Sequence, residues 1–421
     1  MGKSVSFIHA ADLHLGAPFK GLRSLSPVWA AELTHAIPEA YKRLVDTAIR
    51  ENVDFVVISG DIFDDSRPSY ADFFTFVNGL KKLDEEGIQV YFCTGNHDPL
   101  TTWNYDLSAL PKNTHMFTAE DPSFEVFEKE GEPLVVLAGR GYYNQTWPKG
   151  VDISKNIWRD YMFEATGVQA PFTVAVVHTG LNIDPTRSPL NPKDLITRGV
   201  DYWACGHIHQ YMVFPKKAPR IAFPGCPQGR DIKETGEHGV LKVTLEEGNT
   251  LPHIRFIPTA SVVWENMEVD VSDCNTVADI HELITNKQFF LNSKTHCQKM
   301  ICRVTLVGNT KLHEKLTNSV IEDLRLVINN SYPYFFIDAI QNHTRPEIDF
   351  NSLLEEGLFP SVYLKTVAQE RLNSAEALAD IEKEFYDRNL SFPQKLKKDF
   401  NELCDEAEIL VLDLLSQGGA R

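Results

Sequence analysis

The chain has 421 residues, which suits two or three domains, and with 43% hydrophobic residues it is too apolar to be disordered. Its 58 acidic and 41 basic residues give a net charge of −17, which argues against binding to nucleic acid or anionic membranes through overall charge alone. No apolar run reaches the roughly 20 residues of a membrane-spanning helix, and polar residues interrupt the amino-terminal region before a secretory leader could form. We therefore expect a cytoplasmic protein without membrane contact, whose seven cysteines are reduced thiols because none shows Cys-x-x-Cys spacing.

Short β-rich runs alternate with helical patterns through the first 180 residues. The predicted strands are Val5–Ala10, Val53–Ser59, Gln89–Thr94, Leu134–Ala138 and Thr173–Val177. Helical spacing occupies Pro38–Arg50 and Tyr70–Leu83. Because the strand residues are apolar at consecutive positions, both faces of these strands are expected to be covered. The alternation predicts an α/β core.

After Asp201 the pattern changes to strands with few helices between them, which predicts a second sheet packed on the first. The expected strands are Tyr202–Cys205, Arg220–Phe223, Gly239–Leu245 and His253–Ile257. The composition changes again near Trp264. We predict a first domain over residues 1–265, a small α+β domain over 266–345 and a helical region over 346–421.

The carboxy-terminal region contains an apolar seam with the a/d rhythm of a helix that packs on another helix. The seam consists of Leu396, Phe400, Leu403, Ala407, Leu410 and Leu414. Docking on the same chain and docking on a partner protein are both left open.

Residue types that bind metal ions follow the predicted strands. They are Asp12, His14, Asp61, Asn96, His178, His207 and His209. Because the carboxyl ends of parallel strands share one edge of a sheet, we expect these side chains to converge there. Seven oxygen or imidazole donors without a thiolate suit two divalent ions of the Mn, Fe or Zn kind better than one tetrahedral zinc. Asp61, with two oxygens, is the natural bridge between the ions.

Such a pair of ions can lower the pKa of a bridging water and orient it in line with a phosphorus atom. The ions also neutralise charge that develops on the phosphoryl oxygens. The donor set therefore predicts hydrolysis of a phosphoester.

Five sequence blocks, in this order, resemble the signature of the calcineurin-like metallophosphoesterases. The blocks are Asp12-x-His14, Gly60-Asp61 with Asp64, Gly95-Asn96-His97-Asp98, His178 and Gly206-His207-x-His209. Within that superfamily, the segments 9–16, 60–64 and 224–230 resemble DNA repair exonucleases of the SbcD and YhaO type. The resemblance is firm over residues 5–245 and only architectural beyond about residue 266. It implies a two-sheet sandwich flanked by helices.

The resemblance also implies roles for individual residues. Asp12, His14, Asp61 and His209 would hold one metal, and Asp61, Asn96, His178 and His207 would hold the other, with Mn favoured over Fe or Zn. His97 would be the catalytic histidine, acting beside the bridging Asp61 by stabilising the transition state and helping to protonate the leaving oxygen. The substrate would be DNA, the 266–345 domain would restrict access to the metals, and an SMC-type ATPase would bind the carboxy-terminal helices. A homodimer is left open.

Four further residues are candidate substrate contacts. Arg140, Tyr142 and Tyr143 follow the Leu134–Ala138 strand at the same predicted edge, where an aromatic ring could stack on a base. Packing in the core or rim explains them equally well. Arg230 could contact a phosphate, although a solvated surface charge is the favoured alternative because the chain has no larger basic stripe.

We predict a DNA exonuclease or endonuclease, and two alternatives remain. A phosphodiesterase or phosphatase for small nucleotides or phosphoproteins would use every one of the same metal ligands. A scaffold subunit with a vestigial site is disfavoured, because no ligand position is substituted.

Overall fold

The computed structural model describes residues 2–18, 26–64, 69–103, 107–347, 355, 359–372, 374–388, 390–393 and 400–418. Its strands are β1 (Ser4–Ala10), β2 (Phe55–Ser59), β3 (Gln89–Cys93), β4 (Thr114–Met116), β5 (Ser123–Lys129), β6 (Glu132–Arg140), β7 (Phe172–His178), β8 (Tyr202–Gly206), β9 (Met212–Phe214), β10 (Ile221–Phe223), β11 (Gly239–Glu246), β12 (His253–Pro258), β13 (Val262–Asp270), β14 (Lys299–Val307), β15 (Asn309–Thr310), β16 (Phe335–Asn342) and β17 (Arg345–Pro346). Its α-helices are α1 (Pro27–Arg50), α2 (Tyr70–Glu85), α3 (Arg159–Thr166), α4 (Pro192–Ile196), α5 (Val277–Asn292), α6 (Asn318–Ser331), α7 (Phe359–Leu372), α8 (Ser374–Asp387) and α9 (Phe400–Gly418).

Two six-stranded sheets organise the amino-terminal part of the chain, in the orders β12-β11-β1-β2-β3-β4 and β5-β6-β7-β8-β10-β9. Strands β1 to β4 run parallel, as do β6, β7, β8 and β10. The predicted two-sheet α/β class is confirmed. The remaining strands form a three-stranded sheet in the order β13-β14-β16 and the pair β15-β17.

The expected division of strands between the two sheets was wrong. Strands β11 and β12 extend the first sheet, because β11 pairs antiparallel with β1 from Ser4 opposite Glu246 to His9 opposite Leu241. Strands β6 and β7, predicted to belong with β1, lie in the second sheet. Chain order misled the prediction because the amino-terminal strand is completed by a strand more than 200 residues away.

Alternate residues of each strand enter different apolar layers. Phe7 and Phe55 stack with ring centroids 4.7 Å apart in the layer between the two sheets. Their neighbours Ile8 and Val56 face the layer formed with α1 and α2. The outer face of the second sheet is covered by a third apolar cluster that includes Trp203. The consecutive apolar positions in the sequence thus reflect strands buried on both faces.

Helix α1 begins at Pro27 rather than at the predicted Pro38. The Ser26 side chain caps it by accepting a hydrogen bond from Trp29 N at 3.3 Å, and a proline occupies the first turn. The buried face runs on through Leu33 and Tyr41, which places Pro38 inside the helix. Burial of this apolar face outweighs the backbone hydrogen bond that Pro38 cannot donate.

A buried polar bridge joins the two sheets around His9. Its Nδ1 lies 2.8 Å from Tyr202 Oη and its Nε2 lies 3.2 Å from Ser59 Oγ. Ser59 in turn donates to the Ala204 carbonyl at 2.9 Å. Burial lowers the pKa of His9 to about 3, so the ring is neutral at neutral pH.

Because His9 is buried in its neutral form, the free energy of unfolding is expected to decrease at acidic pH. The unfolded chain protonates His9 below about pH 6.5 while the folded chain does not, so stability is lost as pH falls from there towards 3. We expect unfolding of His9→Gln to take up about one proton fewer than unfolding of the wild type. The free energy of unfolding should then fall less steeply with decreasing pH, by about 1.4 kcal/mol per pH unit. Urea unfolding at pH 7, 6 and 5 measures this difference, and equal pH slopes for variant and wild type would contradict it.

The chain divides into two compact units. The first contains Met1–Asn266, Gln288–Cys302 and Tyr332–Asp338, and the second contains Met267–Lys287, Arg303–Ser331 and Ala339–Arg421. The predicted boundaries at residues 265 and 345 stay predictions.

Within the second unit, α7 contacts both α8 and α9. Arg371 pairs with Asp405 at 2.7 Å. Of the predicted seam, Leu410 and Leu414 are 58% and 59% exposed, whereas Leu396 and the side chains of Phe400 and Leu403 lie outside the described residues. No helix in the described ranges has the length and apolar character needed to cross a membrane.

Candidate metal centre

The predicted donors lie at the carboxyl ends of five parallel strands drawn from both sheets. Asp12 and His14 follow β1, Asp61 follows β2 and Asn96 follows β3. His178 ends β7, and His207 and His209 follow β8. The site therefore lies where corresponding edges of two sheets meet, and not at the edge of a single sheet as predicted from the sequence.

Four of these residues have a left-handed backbone, which side chains other than glycine rarely adopt. The φ angles are 53° at Asp12, 47° at His14, 51° at Asp61 and 103° at His207. Backbone hydrogen bonds hold the strained turns together, including Asp12 N to Gly60 O and His14 N to Asp61 O, both at 3.0 Å. Strain of this kind costs on the order of 1–3 kcal/mol per residue and concentrates at functional sites.

The first group of donors comprises Asp12, His14 and His209. Nδ1 of His14 lies 2.9 Å from Asp64 Oδ1, and Nδ1 of His209 lies 2.6 Å from Glu234 Oε1. The nearby carboxylate favours a ring proton on Nδ1 in both histidines, which leaves Nε2 with a lone pair, although the His14 contact lacks hydrogen-bond geometry among the described residues. The two Nε2 atoms lie 3.1 Å apart, so their lone pairs face one another and fit a shared cation.

The second group comprises Asp61, His178 and His207. His178 Nδ1 donates to the Ser59 carbonyl at 2.9 Å, which leaves Nε2 facing Asn96 Oδ1 at 3.0 Å and Asp61 Oδ2 at 3.4 Å. Asp61 Oδ2 is buried and has no hydrogen-bond partner among the described residues. Three potential ligand atoms thus converge, and this set fits a second cation that would replace the proton on His178 Nε2.

Burial and neighbouring charges tune the ionisation of these groups. Burial lowers the pKa of His14 to about 4, and burial together with the charge of His178 lowers the pKa of His207 to about 4. Burial opposes the charged forms of Asp61 and His178, but their mutual attraction dominates, so the pKa of Asp61 falls well below its usual range. The same attraction raises the pKa of His178 to about 9. Neutral His14 and His207 are ready to act as ligands at neutral pH.

The catalytic candidate His97 lies beside both groups. Its backbone N–H donates to Asp61 Oδ1 at 2.8 Å, and its Nδ1 donates to the Asp64 carbonyl at 2.9 Å. The side chain is 42% exposed. Buried Asp98 fixes this loop, because its carboxylate accepts from Gly95 N at 2.8 Å and from Ile62 N at 3.0 Å. A fixed but accessible imidazole suits a group that contacts substrate.

Sequence reasoning missed three carboxylates that orient the histidines. Asp64 contacts His14, Glu234 contacts His209, and Asp184 Oδ2 lies 3.0 Å from His207 Nε2. Asp64 belongs to a recognised block and could have been included. Asp184 and Glu234 lie in loops where acidic residues are common, so no local sequence signal distinguishes them.

Two of the four candidate substrate contacts are corrected by the structure. Tyr142 is fully buried, donates its hydroxyl to Ser188 and packs edge-on against His178, so its ring cannot stack on a base. Arg140 is 8% exposed, and its guanidinium donates to the carbonyls of Ala119, Glu120 and Asp152. The sequence pattern could not show that these side chains point inward.

The other two candidates keep some solvent exposure. Tyr143 is 48% exposed. Arg230 lies beside the first group, where Nη1 donates to Asp64 Oδ1 at 2.8 Å and Nη2 donates to Glu234 Oε1 at 3.0 Å.

The loop after β3 passes so close to Asp61 that only glycine fits at position 95, directly before the donor Asn96. A Cβ on Gly95 would lie 2.1 Å from Asp61 Oδ1 and 2.5 Å from Asp61 N. We expect Gly95→Ala to displace Asp61 and weaken Mn²⁺ binding about 10- to 100-fold, as loss of a supporting contact commonly does. Calorimetric titration with Mn²⁺ measures this. The control Gly2→Ala would place its Cβ at an ordinary 3.5 Å from the Glu247 carbonyl and should retain wild-type affinity, and equal affinities in both variants would contradict the expectation.

Paired His and Asp clusters at the strand ends of an α/β two-sheet sandwich define a metal-dependent phosphoesterase. Residues 5–211 match the family described as calcineurin-like phosphoesterase. Residues 264–345 match the family described as metallophosphoesterase YhaO, middle domain. The chain therefore belongs to the calcineurin-like metallophosphoesterases, which use a dinuclear metal centre to hydrolyse phosphoesters, and it carries a YhaO-type middle domain.

Relatives are found among bacterial and archaeal proteins. The chain is 31% identical over 283 residues to the uncharacterized metallophosphoesterase YhaO of Bacillus subtilis, covering 66% of each chain. It is 26% identical to the DNA double-strand break repair protein Mre11 of Methanopyrus kandleri, covering 52% of this chain and 48% of that protein. It is 25% identical to Mre11 of Methanocaldococcus jannaschii, covering 83% and 88%. The chain thus spans about two thirds of YhaO and about half of the Methanopyrus protein.

Proposed function

We propose that this protein is a DNA nuclease that hydrolyses phosphodiester bonds with two divalent ions, preferably Mn²⁺. The observation that carries the proposal is the pair of donor groups, Asp12-His14-His209 and Asp61-His178-His207, at adjoining strand ends. Oxygen and imidazole ligands without a thiolate suit Mn²⁺. The Mre11 relatives, which are named for DNA break repair, support DNA as the substrate.

The residues of the site divide the chemistry between them. Asp12, His14 and His209 would hold one ion, and Asn96, His178 and His207 would hold the other, with Asp61 shared. When bound, the ions supply Lewis acidity that activates water and offsets charge on the phosphoryl oxygens. The Asp64 carbonyl fixes Nδ1 of His97, so the ring is held with Nε2 available for proton transfer to the leaving oxygen. Tyr143 is exposed at the end of β6 and could contact the substrate there.

A substrate comparison tests the proposal. The purified chain with Mn²⁺ is assayed on single-stranded DNA, double-stranded DNA and a small ester such as bis(p-nitrophenyl) phosphate. We expect EDTA-sensitive hydrolysis with a higher kcat/KM on DNA. A preference for mononucleotide-sized esters or phosphoproteins would instead identify a phosphodiesterase or phosphatase, and Mn²⁺ binding without hydrolysis of any ester would identify a scaffold subunit.

The proposal extends to partners and location. The exposed Leu410 and Leu414 on α9 offer apolar surface for a partner helix, and the partner we propose is an SMC-type ATPase. Their double substitution by aspartate should abolish co-purification with that ATPase and leave DNA hydrolysis unchanged. Cytoplasmic location is supported by seven free cysteines, which suit a reducing compartment. Analytical ultracentrifugation would decide whether the chain forms a homodimer.

A further inference from the structure

The loop after β10 encloses His209. Gly225, with φ of 80°, approaches the His209 carbonyl so closely that a Cβ would lie 2.7 Å from it. Cys226 N donates to the same carbonyl at 3.3 Å. The buried Gln228 anchors the loop, because its side chain accepts from Ser261 N at 2.8 Å and donates to the Val262 carbonyl at 2.7 Å. This anchoring fixes the position of the Arg230 backbone.

Arg230 makes paired contacts with two carboxylates. Its guanidinium reaches Asp64 Oδ1 at 2.8 Å and Glu234 Oε1 at 3.0 Å, and its backbone N–H donates to Glu234 Oε2 at 2.8 Å. The side chains of Arg230 and Asp64 are each 21% exposed and that of Glu234 is 13% exposed. Ion pairs shielded to this degree hold their geometry better than surface pairs.

Each of these carboxylates contacts one histidine of the first donor group. Asp64 lies 2.9 Å from His14 Nδ1, and Glu234 lies 2.6 Å from His209 Nδ1. One guanidinium therefore links the acceptors of both rings. The corresponding carboxylate of the second group, Asp184, is 34% exposed and contacts His207 alone among the histidines of the site.

The same corner also contains His209, Cys226 and Glu234 at spacings that could hold a metal ion. Arg230 Nη2 lies 3.1 Å from His209 Nδ1 and donates to Glu234. The guanidinium thus already supplies the positive charge that this cluster would attract. It acts as an internal cation behind the first donor group.

We propose that Arg230 and Glu234 are positioning residues that hold both histidine ligands of the first metal through a shared ion-pair network. The inference rests on the proposed metal centre. A ligating imidazole needs its second nitrogen fixed, because that contact sets the tautomer and the ring orientation. A planar guanidinium can hold two carboxylates at fixed angles, whereas a lysine ammonium cannot reproduce that geometry. Arg230 then serves the metal centre and not the DNA phosphate.

The test compares Glu234→Gln, Arg230→Gln and Arg230→Lys with the wild type. Calorimetric titration with MnCl₂ should show two ions per wild-type chain. In the glutamine variants, one of the two Kd values should rise about 10- to 100-fold while the other stays within a few fold. In Arg230→Lys, the same Kd should lie between the values of the glutamine variants and the wild type. Nitrogen-15 NMR of the metal-free protein should show loss of the single Nδ1–H tautomer at His209 in Glu234→Gln.

The matched control is Arg159→Gln, which removes a comparably exposed Arg–Asp pair, 2.6 Å from Asp201 at the opposite end of β8. It should keep both Kd values. Glu234→Gln preserves side-chain size, so its Kd values for Mn²⁺ test the positioning role even if Arg230→Gln fails to fold.

Two results would overturn the inference, and they differ in meaning. Unchanged Kd values in Glu234→Gln and Arg230→Gln, with a raised KM for DNA in the latter, would make Arg230 a substrate contact and leave the proposed function intact. A wild-type chain that binds no Mn²⁺ would remove the proposed function itself.

Discussion

Asp61→Asn is expected to reduce phosphodiester hydrolysis by about 10³-fold or more, because the change removes a ligand charge where the transition state needs it. The variant keeps the size of the buried side chain and an oxygen that can accept from His97 N, now 2.8 Å from Oδ1. Its amide nitrogen replaces Oδ2, which faces the donor groups without a hydrogen-bond partner in the described parts of the chain. An N–H aimed at that place repels a cation. Initial rates on DNA with Mn²⁺ and calorimetric metal binding measure both losses.

The control for Asp61 is Asp84→Asn on the exposed side of α2. It should retain wild-type rates and metal binding. A variant at Asp61 whose rate stays within tenfold of wild type would show that this carboxylate neither bridges the ions nor supports the reaction.

His97→Ala is expected to lower kcat about 10²- to 10⁴-fold, the usual contribution of a general acid. Metal affinity should stay within a few fold of the wild type, because His97 lies outside the two strand-end donor groups, although its ring lies within metal-binding distance of His14 and Asp64, and alanine keeps the backbone N–H that contacts Asp61. Single-turnover DNA hydrolysis with calorimetry separates the two effects. A substrate with an activated leaving group such as p-nitrophenolate should recover much of the lost rate, since it needs little protonation.

His296→Ala serves as the matched control, since that side chain is 76% exposed and pairs with Glu237. It should leave kcat unchanged. Loss of Mn²⁺ binding in His97→Ala would contradict the separation of roles and make His97 a support of the metal ligands.

The site could be predicted from the sequence because its ligand residues directly follow predicted strands along the chain. Asp12 and His14 follow an apolar strand within two positions of each other, and such patterns constrain where the side chains lie. The pairing of β11 with β1 had no such signal, because antiparallel partners are chosen by burial across the whole fold. Orienting residues such as Glu234 were equally hidden, since their role depends on a loop that folds back onto His209.

Side-chain direction limited the prediction at single residues. Arg140 and Tyr142 lie at the expected edge, yet both turn into the protein, where Trp147 packs against each of them. A run of consecutive apolar residues does not define an inner and an outer face, so the sequence could not decide between stacking and burial. Helix α1 begins at Pro27 rather than Pro38 because its buried face continues on both sides of Pro38, and burial on both sides appears only in the folded chain.

The positive φ angles at Asp12, His14, Asp61 and His207 also bear on how this protein can evolve. Glycine would relieve the torsional cost at each position and asparagine part of it. A selection for heat resistance alone should therefore enrich glycine at these positions, at the expense of turnover. A lineage that keeps the acidic and imidazole side chains there retains a less stable fold, which indicates that it uses their chemistry.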